Sequence, residues 1–142
     1  MRKTVISVVS LIVATITSIA YAGEDPRQLV KFPEMMQEHM LGNMRDHLQT
    51  LNQILIDMGQ GKLDKASELA EARLGMSSLE LHGASHMAKF MPKGMQEAGT
   101  AMHKAASRFA RKAEEGDLIP AYKALADVTS SCVACHSAYR IR

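Results

Sequence analysis

Tryptophan is absent from these 142 residues, and three Phe and three Tyr are the only aromatic side chains. No segment alternates apolar and polar residues, so neither composition nor pattern supports a sheet. Cysteine is held to two residues. An excess of either charge is also missing once the first residues are set aside, because Arg2 and Lys3 account for the whole formal charge of +2. A neutral balance gives no electrostatic reason to expect nucleic acid or an anionic membrane surface as a partner.

What is present begins with an export signal. Met1-Arg2-Lys3 is a short positive stretch, Thr4 to Ala20 is uncharged and largely apolar, and Ala20-Tyr21-Ala22 places small residues where a signal peptidase reads them. Gly23-Glu24-Asp25-Pro26 then breaks any helix. The pattern predicts a secretory signal over residues 1–22 and a mature domain over 23–142, with the periplasm as destination. An uncleaved anchor is the competing reading, since the apolar run approaches the length of a bilayer span. The small-residue site and the polar break favour cleavage. No later run is apolar enough to cross a membrane, so no span is expected in the mature chain.

The rest is rich in Ala, Met, Leu, Glu and Lys, all strong helix formers. Punctuation at Pro33, Gly59-Gln60-Gly61, Gly75 to Gly94 and Gly116-Asp117 divides it into four helical pieces. The first runs from about Glu34 to Met58. Its seam of Met40, Met44, His47, Leu51, Ile54 and Met58 alternates steps of four and three, as in a helix packed in a left-handed bundle. Others are predicted over about Leu63 to Leu74, Gly94 to Glu115 and Leu118 to Tyr139. The third carries Ala98, Met102, Ala105, Phe109 and Ala113 on one stripe. The stretch from Gly75 to Met95 resists a single helix, although His82 to Met91 has room for a turn or two. Short connections make the expected fold all-α, an antiparallel four-helix bundle in one domain.

Chemistry concentrates at Cys132-Val133-Ala134-Cys135-His136. The C-x-x-C-H pattern is an attachment site for a c-type haem. On a helix, positions i, i+3 and i+4 share a face, so two thiols reach the vinyl groups of one porphyrin while His136 points at its iron. A covalent haem on the C-terminal helix, with His136 as proximal iron ligand, is the expectation. A redox-active disulfide of thioredoxin type would need a preceding strand, and zinc would need four ligands. The second axial donor is open between Met40, Met44 and His47, all on the inward seam of the first helix. No nucleophile and base are juxtaposed in the sequence, so no enzyme is expected.

These residues are similar to those of the cytochrome c prime family. The similarity rests on the C-x-x-C-H followed by Ser137-Ala138-Tyr139-Arg140, on the preceding Gly116-Asp117-Leu118, and on Gly59-Gln60 with Leu63-Asp64 after the first helix. The resemblance implies a four-helix bundle with haem c and iron held between helices, often a homodimer through its first two helices. It implies that the residue facing the distal side of the iron comes from the first helix. Matching the apolar seams puts Met44 there when one extra residue is allowed before Gly59. Without that gap the position falls on Asn43, and Met40 is the runner-up. In the family's low-spin members a Met binds at this position, and in five-coordinate members an apolar residue leaves room for nitric oxide or carbon monoxide. Met40 also stands where the family commonly has an Arg for a haem propionate, and Arg140 matches a basic position one turn after His136.

The expected function is therefore a periplasmic, single-haem electron carrier with low-spin His/Met iron. The alternative is a five-coordinate protein that binds nitric oxide or carbon monoxide. The partners would be redox proteins that the sequence does not name. His47 reads as a satisfied, partly buried histidine, and His82 and His86 with Met87 and Met91 as helix surface and core rather than a copper site. His39 and His103 are given no role.

Overall fold

The computed structural model describes residues 24–142. The expected signal over residues 1–22 lies outside them. Five α-helices make up most of the described chain: α1 (Glu34–Gly59), α2 (Leu63–Arg73), α3 (Ala84–Ala88), α4 (Lys93–Glu114) and α5 (Leu118–Ala138). Among the described residues, no helix is long and apolar enough to cross a membrane.

Local chemistry explains most boundaries. Pro33 and Pro92 stand immediately before α1 and α4, where a missing N–H costs nothing. Asp117 caps α5, its Oδ1 accepting from the Ile119 N–H at 3.1 Å. Gly116, with φ of 77°, makes the left-handed step that separates α4 from α5. Leu63, Ala66, Ser67 and Ala70 form the buried stripe of α2. On α1 the expected seam is inward, with Met40, His47, Ile54 and Met58 buried and Met44 and Leu51 partly so.

The close helix neighbours are α1 with α2, α2 with α4, and α4 with α5. Small residues make the last contact tight, because Ala105, Ala106, Ala110 and Ala113 on α4 and Ala121 on α5 are all buried. Phe109, fully enclosed, fills the middle with Ile54, Met58, Leu74 and Val128. A second, smaller cluster is built on methionine. Val30, Met40, Met87 and Met95 are its buried members, and Met36, Met44, Met91, Cys135 and Tyr139 pack against it.

Three features depart from the expectation drawn from sequence. The stretch after α2 holds a 3₁₀ turn at Met76–Ser78 and, within the turn or two allowed over His82 to Met91, the short α3, so the described residues have five α-helices rather than four. The last helix ends at Ala138, and Tyr139–Arg140 (β2) pairs in parallel with Gln28–Leu29 (β1). A strand of two residues has no periodicity to read. It exists because the segment before α1 docks on the end of the chain, with the Val30 N–H donating to the Arg140 carbonyl at 2.8 Å. Arg140 consequently does not sit one helical turn beyond His136.

Candidate functional site

A cavity of about 370 Å³ opens between α1, the loop carrying His82, α3, α4 and the end of α5. That volume is within the range of small-molecule and cofactor sites. Met40, Met44 and His47 reach it from successive turns of α1, and Cys135 and His136 from α5. Met87 and Met91 belong to α3 and its exit, and Met95 and Met102 to α4. Six methionines thus contribute to the wall, a soft and adaptable surface for a flat apolar group.

The expected donors are brought together in large part. Met44, Met40, Cys135 and His136 share the cavity. Cys132 does not line it; one turn earlier on α5, it packs against the main core beside Val128 and its neighbours. Both thiols are unpaired and half-buried, and burial raises the pKa of each above the ordinary value. His136 is exposed, and its carbonyl lies 3.4 Å from an Arg27 guanidinium nitrogen. Met40 is enclosed within the methionine cluster, whereas Met44 is only half covered.

The N-terminal segment closes one end. Asp25 accepts from the Arg27 side chain, and this, with the Arg27 backbone N–H, holds its carboxyl at about 2. Arg140 approaches the same carboxylate at 3.6 Å. Arg27, Arg140 and Arg142 all border the cavity there. Gly94 opens α4 beside Tyr139, where any Cβ would strike the tyrosine hydroxyl.

Three histidines also line the cavity, and here sequence reasoning fell short. His47 is buried, but it is not satisfied: its Nε2 has no hydrogen-bond partner. The same holds for His82. His103, given no role from sequence, stands with them, its Nδ1 at 2.7 Å from the Leu74 carbonyl. Burial first, and then the neighbouring imidazoles, push His47 down to about 4; burial likewise lowers His82. His39 and Asn43 also acquire a job, since both bond the His82 carbonyl from α1, at 2.9 and 3.0 Å. His86, by contrast, is exposed and not part of the cavity, so the sequence pair His82/His86 is split. His103 was legible in one respect. It completes the spacing i, i+3, i+4, i+7 with Gly99, Met102 and Ala106, the signature of an inward face.

The residues present suit a c-type haem. A thiol and an imidazole share a largely apolar cavity with six methionines in its lining, and a second thiol lies one turn away on the same helix. No curated protein and no solved structure matches the chain significantly. A protein-family model described as Cytochrome C' matches residues 85–140, which run from the start of α3 through α4 and α5 and include the whole C-x-x-C-H. Over those residues the chain is similar to the cytochrome c prime family, and the match supports reading it as a c-type cytochrome.

Proposed function

We propose that the chain is an exported, single-haem electron carrier of the periplasm, with low-spin iron held between His136 and Met44. One observation carries this reading: Met44 of α1 and His136 of α5 wall the same cavity, with Cys135 beside them. Cys132 and Cys135 would each add a thiol across a vinyl group, forming a carbon–sulfur bond while the thiol hydrogen passes to the neighbouring vinyl carbon. The haem, when bound, supplies a one-electron couple.

The protein's own part is placement. His136 donates from the same helical turn as Cys135, so attachment fixes the imidazole's position. Met44 suits the second axial place better than Met40, because Met40 is enclosed by the methionine cluster and Met44 retains a free side. A thioether opposite an imidazole raises the reduction potential. The thioether walls of Met87, Met91 and Met95 are apolar and would help to exclude water from the site.

The four longer helices are read as an antiparallel bundle, and α1 with α2 as the face through which two copies pair. Redox proteins are the partners, and no catalytic turnover, nucleic acid or membrane span enters the reading. Visible and near-infrared spectra in both oxidation states test it. Low-spin bands with a ferric methionine charge-transfer band support it. A high-spin spectrum that responds to carbon monoxide would replace it with the gas-binding alternative.

A further inference from the structure

Three imidazoles that line the cavity meet one another. The ring centres of His47 and His82 are 4.6 Å apart, those of His82 and His103 5.5 Å, and those of His47 and His103 6.1 Å. Each residue is more than nine-tenths buried. The three come from α1, the loop before α3, and α4, so no single amphipathic pattern accounts for their meeting. Burying an imidazole nitrogen with no partner is costly. Two such nitrogens face one cavity here.

The tautomers of His82 and His103 can be read from the bonds they make. Ser78 Oγ donates to the Gly75 carbonyl at 2.7 Å, so towards His82 Nδ1, at 3.5 Å, it is left to accept. The His82 proton is then on Nδ1, and Nε2 presents a bare lone pair. His103 is set the same way, because the Leu74 carbonyl accepts from its Nδ1. An imidazole whose far nitrogen is tied to a carbonyl or hydroxyl is oriented as metal-binding histidines are. The His82 backbone is itself clamped to α1 by His39 and Asn43.

The kind of metal follows from the other donors. No group of three His, Cys, Asp or Glu side chains among the described residues is set to hold an ion by itself. Thioethers, however, line the same cavity, and Met102 comes from α4 next to His103. The carboxylate whose field reaches both His47 and His82 is Asp46, which is already paired with Arg73. A dication among neutral donors would be left uncompensated in an apolar site. A soft monocation suits imidazole and thioether, and that combination selects copper(I).

We propose that the histidine cluster lining the cavity is a copper(I) site, in which His47 and His82 bind through Nε2 and the Met102 thioether completes a three-coordinate set. Met44 is left to the iron. None of the three donors is a haem attachment or axial residue, but copper and haem would share one cavity, so the two are read by separate measurements.

The test uses the haem-bearing protein, reduced and free of oxygen, with copper(I) supplied from the chromophoric chelator bicinchoninate. Haem content is measured separately by the alkaline pyridine spectrum, so loss of haem and loss of copper are told apart. The expected result is one copper per chain taken from the chelator, with little uptake of zinc(II). His82→Gln and Met102→Leu should each weaken uptake by about 100-fold, while His86→Gln, at an exposed position, leaves it unchanged. X-ray absorption at the copper edge of the wild-type protein should show both nitrogen and sulfur neighbours, a readout independent of whether any variant folds. No uptake by the wild type, uptake indifferent to His82→Gln and Met102→Leu in variants of full haem content, zinc held as tightly as copper, or a copper shell lacking either nitrogen or sulfur would each overturn the proposal.

Discussion

His47 and His82 stand edge to face, their ring centres 4.6 Å apart, each with an Nε2 that nothing in the protein satisfies. Their cavity is also lined by Arg27, Arg140 and Arg142, and thioethers contribute to its wall. The candidate iron ligands Met44 and His136 belong to that wall, on helices that bring residues 92 positions apart in sequence to a single cavity.

Replacing Met44 by Ala should remove the sixth donor. The account expects ferric iron to pass from low to high spin, the near-infrared methionine band to vanish and carbon monoxide to bind readily. Met40→Ala should leave the iron low-spin. The opposite pattern in optical spectra of the two variants would move the ligand to Met40.

Stability should depend on the main core rather than on the cavity. Phe109 is fully enclosed and does not line the cavity. Phe109→Ala therefore should cost roughly 3–5 kcal/mol in denaturant unfolding, with the haem bands of the folded protein unmoved. A loss below about 1 kcal/mol would mean that the bundle collapses around the gap.

Acid should loosen the N-terminal segment before the helices. Asp25 is held at about 2, against an ordinary 3.8, mainly by hydrogen bonds from Arg27. A carboxylate depressed in this way stabilises the folded form above its ordinary pKa, and the contribution fades as pH falls from about 4 towards about 2. Amide exchange at Val30, whose N–H is bonded to Arg140, should accelerate in that window relative to Ile54 after correction for intrinsic rates. Asp25→Asn should show the faster exchange already at pH 5. An unaltered ratio in both experiments would contradict the role given to Asp25.

Helix boundaries were legible where a single residue type dictates the backbone. Pro33, Pro92, Gly116 and Asp117 all stand at the helix ends where their chemistry places them. The seam of α1 was legible because one face of a helix repeats. The end of α5 was read to within one residue, but the pairing of Tyr139–Arg140 with Gln28–Leu29 was not legible, since strands of two residues have no periodicity. The histidine cluster was hidden for a related reason. His82 is carried by an irregular loop that turns through Gly83 in the left-handed region, φ 62°, and no periodic pattern reports where such a loop points. His47 was legible as inward-facing but not as unpartnered, because its neighbours come from two distant segments.

The central claim is a haem joined to Cys132 and Cys135 with His136 on its iron. The most direct measurement is the intact mass of the purified chain, made in a host that attaches such haems, taken together with its alkaline pyridine spectrum. The account predicts one added haem per chain that survives acid–acetone extraction, lost when both cysteines are replaced by Ser. A colourless protein with the mass of the bare polypeptide would contradict it.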